Sequence, residues 1–289
     1  MIERLDDSLP LPSRPLRVAA AQAQAAAGDI PANAATVARM VREAADDGVR
    51  VVVFPEKFLT GYEPELIRAD PARYAVPADG GRDARLDPVA EACRDTGTVA
   101  VAGAAVHRAG DLYVSALAFG PDGALAARYD KQTLFKTERE VYREGASGCT
   151  LVVDDWRLGL GICYDSGFPE HARSAALDGC HAYLVGALFS VGNGYHESRV
   201  WFPARAFDNT LYAVLANHIG TPGGWNTCGS SAIWGPDGRT VAEAGPDKPE
   251  LVAATLHPEQ LRAAREAEPM LRDLRQEMAS ASRTVHRLA

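Results

Sequence analysis

Apolar residues along this chain fall into two patterns, short unbroken runs and longer stretches spaced three and four apart. The runs at 16–22, 51–54, 98–103, 113–119, 124–129, 151–153, 158–162, 183–187, 211–216, 240–244 and 251–256 read as strands. Several are apolar throughout, as expected where both sheet faces are covered. Helical spacing predicts helices over 31–47, 83–96 and 169–178, around 201–208, and from 258 to about 265. Gly48 and Gly179 stand as stops after the first and third of these. The strand, helix, strand order across 158–187 implies a parallel pair under a covering helix. Segments 59–81 and 188–198 read as irregular connections long enough to carry function, the second at a pocket mouth.

One pattern occurs twice. Val-Ser-Ala-Leu-Ala-Phe-Gly-Pro-Asp-Gly at 114–123 is echoed by Gly-Ser-Ser-Ala-Ile-Trp-Gly-Pro-Asp-Gly at 229–238, each followed by another strand. Two similar halves would give two sheets packed face to face with helices outside, an α/β fold built as a four-layer α-β-β-α sandwich. On this reading residues 1–15, with prolines at 10, 12 and 15, form an N-terminal tail. Residues 16–270 form a single domain, and the charged residues 271–289 form an extension reaching toward another subunit.

The composition narrows the function classes. A net charge of −8 without a basic block disfavours nucleic acid and anionic membrane surfaces. No apolar stretch approaches the roughly 20 residues a membrane span needs, and the N-terminus is acidic, so the expected location is the cytoplasm. The cysteines at 93, 149, 163, 180 and 228 are odd in number and scattered, and the histidines are dispersed. Neither a disulfide framework nor a metal site is expected from such spacing.

Three residues stand out because each ends a buried-type run: Glu56, Lys131 and Cys163. Cys163 sits at a strand-to-helix elbow, where Gly167 allows a sharp turn and Pro169 with Glu170 reads as a first helical turn. There the Tyr164 amide and the positive helix end would face an anion formed beside the sulfur. Taken singly each has a plain explanation: a small buried hydrophobe, a surface acid, a solvated strand-end lysine. Together, at separate strand ends, they suggest one site.

In these residues the chain resembles the nitrilase, or carbon-nitrogen hydrolase, superfamily. Phe54-Pro-Glu56 with Thr60-Gly-Tyr62 is similar to the first motif of that superfamily, and Tyr129-Asp-Lys131 through Leu134-Phe135 to the second. Gly161-Ile-Cys163-Tyr-Asp, continuing through Phe168-Pro-Glu170, is similar to the third. The likeness extends to Arg205-Ala-Phe-Asp-Asn209, Asn217 and the 229–238 stretch, covering about residues 16–260. The resemblance implies the nitrilase-like sandwich, no cofactor and no metal, and a homodimer or higher homo-oligomer. It implies Cys163 as nucleophile, Glu56 as general base and Lys131 beside the oxyanion. A second glutamate after the lysine motif is matched by Glu138, with Glu140 as the fallback. Many members carry arginine where Asp130 and Gly167 stand here, so substrate preference does not transfer from them.

Tyr62, Tyr164, Phe168, Phe189, Asn193 and His196 are the candidate substrate-binding residues. The expected activity is hydrolysis of a small amide or N-carbamoyl compound through a Cys163 thioester, with release of ammonia. Alternatives are a true nitrilase or an acyltransferase on the same site, a thiol hydrolase whose base is His171 or His218, and a non-catalytic binding or regulatory module.

Overall fold

A computed structural model describes residues 10–78 and 83–274. Most of both terminal segments set apart above, 1–9 and 275–289, lies outside the described residues, as do 79–82. The first half of the chain runs β1 (Leu16–Gln22), α1 (Ile30–Asp46), β2 (Val51–Val53), α2 (Pro64–Ala69), α3 (Pro71–Tyr74), β3 (Val76–Pro77), α4 (Asp87–Thr96), β4 (Val99–Arg108), β5 (Asp111–Phe119) and β6 (Leu125–Asp130). The second half runs β7 (Thr150–Val153), β8 (Trp156–Ile162), α5 (Pro169–Leu177), β9 (Ala182–Ala187), α6 (Asn193–Asn209), β10 (Tyr212–Asn217), β11 (Ala232–Trp234) and β12 (Thr240–Glu243). Then β13 (Glu250–Leu256), α7 (Pro258–Ala267) and α8 (Met270–Asp273) follow.

The strands form two sheets, ordered β13-β1-β2-β4-β5-β6, with β3 pairing β4, and β12-β11-β10-β9-β8-β7. In each half three central strands are parallel, β1, β2, β4 in one and β8, β9, β10 in the other, and an antiparallel hairpin completes the edge. The repeat seen in the sequence is therefore a repeat of topology. It extends to a detail: the pairing register slips between Ala118 and Phe119 in one hairpin and between Ile233 and Trp234 in the other, equivalent positions before the two Gly-Pro-Asp-Gly turns. Each turn closes alike, with Gly120 N donating to Ala124 O and Gly235 N to Arg239 O, both at 2.8 Å.

Strand period two sorts the side chains into three cores. Val18, Ala20, Val51, Val53 and Val101 meet Leu158, Leu160, Leu184, Val214 and Ile233 between the sheets. The alternate residues Ala19, Ala21, Val52 and Ala102 pack outward under α1 and α4, while Tyr183, Val185, Ala213 and Leu215 pack outward under α5 and α6. These clusters make the layers helix, sheet, sheet, helix, as expected. Among the described residues no helix is long and apolar enough to cross a membrane.

Several expectations need correction. Segment 59–81 is not wholly irregular, since α2 and α3 each start on a proline, a position that needs no amide donor. Residues 193–198 belong to α6 rather than to a loop, the chain turning into the helix at Gly192 with φ +76°. Residues 10–14 do not trail free: Trp156 Nε1 donates to Arg14 O at 2.8 Å and Leu11 packs on the inner core.

Candidate active site

β2 ends at the middle of its sheet and delivers Phe54-Pro-Glu56-Lys57 into the space beside the second sheet. Phe54 N donates to Val101 O and Leu59 N to Gly103 O, each at 2.8 Å, which pins both ends of the turn to β4. Two glycines make room for it. A Cβ at Gly103 would lie 2.3 Å from Pro55 O, and one at Gly186 of β9 would lie 2.3 Å from Phe54 O. Glu56 is consequently held between β4 and β9, 1% exposed.

Lys131 follows β6 directly. Its amide donates to Val114 O and its carbonyl accepts from Gly145 N, both at 2.8 Å. Its Nζ donates to Glu56 Oε1 at 2.8 Å and to Glu138 Oε2 at 2.7 Å. Glu138, in the 3-10 turn Lys136–Glu140, also accepts from Phe135 N at 2.9 Å, from Lys57 Nζ at 3.2 Å and from Tyr62 OH at 3.2 Å. Glu140 is exposed, so of the two candidates Glu138 is the one facing Lys131.

Cys163 follows β8 and opens the one-turn 3-10 helix Cys163–Gly167. The sharp turn is made at Cys163 itself, with φ +44°, and not at Gly167 as the sequence suggested. Gly167 is small because the Trp201 ring lies 3.2 Å from where its Cβ would be. A left-handed backbone on a residue with a Cβ is strained. It turns the sulfur to the junction of the inner core and the α5–α6 layer, where Sγ donates to Leu188 O at 3.5 Å. The Tyr164 amide sits in the first turn of this 3-10 helix and has no acceptor within it.

The electrostatics are those of a buried, charge-paired site. Burial pushes the Glu56 carboxyl up, against the pull of Lys131. Burial also works against ionising Glu138, yet Lys131 and Lys57 outweigh it and hold that carboxyl well below the usual range. Burial opposes the Lys131 ammonium too, but Glu56 and Glu138 keep it well above the ordinary lysine value. Burial and then the Glu56 charge push the Cys163 thiol far up, with Lys131 acting the other way. The Cys163 thiol is thus held neutral, and only a base close by would take its proton. Among the described residues Glu56 Oε2 has no hydrogen-bond partner, which leaves one oxygen of the carboxylate available.

Asp165 ties two of the motifs together. Its carboxylate accepts from Tyr129 OH at 2.7 Å, Thr133 N at 2.9 Å and Ile162 N at 3.0 Å, joining the β6 end that bears Lys131 to the elbow that bears Cys163. Tyr129 gives its one proton to Asp165 and takes a hydrogen bond from His171 Nε2 at 2.7 Å; Tyr183 OH then donates to His171 Nδ1 at 2.8 Å. Both nitrogens of His171 are occupied. His218 Nε2 donates to the Glu56 carbonyl at 2.7 Å, so neither histidine hydrogen-bonds the thiol.

The remaining sequence candidates divide. Tyr62, 9% exposed, is part of the cluster. Tyr164 stacks edge-on between Phe135 and Phe168, with both centroid distances 5.1 Å, and Phe168 is partly exposed. Phe189 is buried against Trp201 and Phe202, at 5.8 and 6.1 Å. Asn193 and His196 lie exposed in the first turns of α6, with Asn193 donating to Glu197. Lys57 and Asp165 went unrecognised as individuals. A lysine after a strand end reads as a solvated charge, and nothing in its spacing marks a buried one.

Comparison with known proteins agrees with this geometry. The carbon-nitrogen hydrolase family model matches residues 17–266. The (R)-stereoselective amidase of a Pseudomonas species is 33% identical over 239 residues, covering 82% of this chain and 83% of that protein. The omega-amidase of Homo sapiens is 28% identical over 258 residues, covering 85% and 90%. Among solved structures, the amidase of Nesterenkonia sp. AN1 superposes with a TM-score of 0.80 at 27% identity, covering 92% of this chain and 98% of that one. Nit3 of Saccharomyces cerevisiae, a nitrilase-superfamily member, does so with 0.83 at 25%, covering 93% and 98%. The matched residues span both sheets and every side chain of the buried cluster, and on that basis the chain belongs to the carbon-nitrogen hydrolase family.

Proposed function

We propose that this chain hydrolyses a small amide or N-carbamoyl compound through a thioester on Cys163. Glu56 takes the thiol proton as Sγ bonds to the carbonyl carbon. Lys131 Nζ and the Tyr164 amide meet the oxyanion. The carbon–nitrogen bond then breaks, and the proton held by Glu56 leaves on ammonia. Water, deprotonated by Glu56, cleaves the thioester and restores the thiol. Glu138 orients Lys131 throughout. The aromatic edge formed by Tyr164 and Phe168 supports a wall for the acyl group, and we place Tyr62, Phe189, Asn193 and His196 in the surroundings of that wall.

The observation that carries the reading is the shared ammonium of Lys131, 2.8 Å from Glu56 and 2.7 Å from Glu138. The amidases among the relatives favour an amide over a nitrile. The test is a panel of primary amides, ureido acids and nitriles scored for released ammonia, with mass spectrometry of Cys163 during turnover. An acyl adduct on Cys163, and loss of turnover in Cys163→Ala and Cys163→Ser, are expected; full activity in both variants would remove the mechanism.

Residues 16–270 act as one catalytic domain in this reading, in the cytoplasm and as a homodimer or higher homo-oligomer. The exposed Tyr195, Val200 and Phe207 on α6 support self-association. Sedimentation as a monomer at micromolar concentration would remove that part.

A further inference from the structure

The cluster holds a second cation that this reaction leaves unused. Lys57 follows Glu56 directly, its side chain is fully buried, and Nζ donates to Glu138 Oε1 at 3.2 Å. The ammonium lies 3.5 Å from the Tyr62 ring centroid and 4.9 Å from that of Tyr142. Its backbone is left-handed, with φ +52°. Burying an ammonium is unfavourable unless carboxylates and π faces replace its water, and here both do. A strained backbone at the same residue adds to the cost of keeping a lysine there.

We propose that Lys57 is a positioning residue that balances the buried charge, so that Glu56 rests as the carboxylate the first proton transfer needs while Lys131 remains free to serve the oxyanion. The inference rests on the thioester reading above. Glu56 and Glu138 bring two negative charges, and Lys57 and Lys131 bring two positive ones. Without Lys57 a single ammonium faces two buried carboxylates. Glu138, with hydrogen bonds from Lys57, Tyr62, Lys131 and Phe135 N, is the better stabilised of the two. Among the described residues Glu56 receives only that from Lys131 and would be the one to take up a proton. Lys131 would also be drawn toward the two carboxylates and away from an oxyanion. The titratable groups facing this pair are Tyr62 after β2, Lys131 after β6, Glu138 and Tyr142 in and beyond the 3-10 turn, Cys163 after β8 and His218 after β10.

The test compares wild type with Lys57→Met, Lys57→Gln and Lys57→Arg on one amide substrate, each normalised to titrated active sites. In Lys57→Met the acid limb of kcat/KM should move up by about one pH unit and the values below the limb should fall about tenfold, with Lys57→Arg recovering most of both. A structural role predicts fewer active sites but an unmoved acid limb, and that result overturns the proposal. Lys57→Gln retains a donor for Glu138 and is read by the same criterion should Lys57→Met fail to fold. Cys163→Ala and Glu56→Gln, run alongside, separate the failures. Activity surviving in either removes the thioester reading itself, whereas their inactivity with an unmoved limb in the Lys57 variants removes only the role of Lys57.

Discussion

Lys131 shows how much one side chain is asked to do in a buried site. Its ammonium carries three N–H groups; one goes to Glu56 and one to Glu138, which leaves a single donor for the oxyanion of the proposed reaction. Lys131→Met should therefore lose more than a hydrogen bond, because the two carboxylates it separates are left facing each other. We expect kcat/KM to fall by a factor of about 10² to 10³ from the lost oxyanion partner. Stability should fall as well, by roughly 3–5 kcal/mol from breaking a buried ion pair. Kinetics on the folded fraction and denaturant unfolding measure the two separately, and a variant with unchanged kcat/KM would show that Lys131 does not meet the oxyanion. Glu56 adds a pH signature: with its carboxyl raised by burial, kcat/KM should rise with pH through an apparent pKa above the ordinary glutamate range. At this scale the sequence was informative about Glu56, Lys131, Cys163 and Glu138, because each stands at the end of an apolar run or in a motif. It was silent on Lys57, whose burial depends on Tyr62 and Tyr142 arriving from other segments.

Those residues are delivered by strands, and the strands were legible because residues covered on both faces form unbroken apolar runs. β1 has the predicted bounds, and β8 and β9 form the expected parallel pair under α5. Helix starts were less legible. α6 begins eight residues before Trp201, among Gly192, Asn193 and Gly194, whose composition reads as a turn, and it carries Pro203 inside. The connection after β2 gave its signals, Pro64 and Pro71 each behind an acidic residue, but in helices only six and four residues long, below the reach of periodicity. Inside β4 and β9 the missing Cβ of Gly103 and Gly186 admits the backbone of the turn after β2, which the runs alone did not announce. Gly186→Ala would set a methyl 2.3 Å from Phe54 O, and backbone on both sides must then shift. We expect about 1–3 kcal/mol of lost stability and a lower kcat, because the displaced turn carries Glu56. Differential scanning fluorimetry with active-site titration tests this. An unchanged Tm with full kcat would mean that the turn is not clamped between the sheets.

At the scale of the whole molecule, the two halves enclose polar groups that are buried in a defined protonation state, and this gives acid sensitivity a specific origin. His218 is fully buried, stacked on Phe58 at 5.9 Å, and its Nε2 proton goes to the Glu56 carbonyl. Its Nδ1 has no partner among the described residues, so a second proton would find no acceptor. Burial pushes its pKa down to about 4. His181, which bridges the N-terminal residues to β8 through Pro10 O and Arg157 N, is likewise pushed down to about 4, first by burial and then by Arg265. Both rings gain protons on unfolding at any pH between about 6.5 and 4, so stability is complete above that window and falls as pH drops through it. Glu138 has the same sign, but its window opens only below the ordinary glutamate pKa of about 4.3. The interval from pH 6.5 to 4.5 therefore carries the histidine loss, opposed by Glu56, whose raised carboxyl takes up a proton more readily in the folded state; a change at His218 alone isolates that ring's share. His218→Gln, whatever it costs at pH 7.5, should reduce the loss of unfolding free energy across that interval by roughly 2–3 kcal/mol relative to wild type. Urea unfolding at several pH values measures it. If the variant and the wild type lose stability in parallel, the buried imidazole beneath Glu56 does not set the acid limit of the fold, and the loss falls to His181 and His171, whose rings burial also holds below the ordinary value.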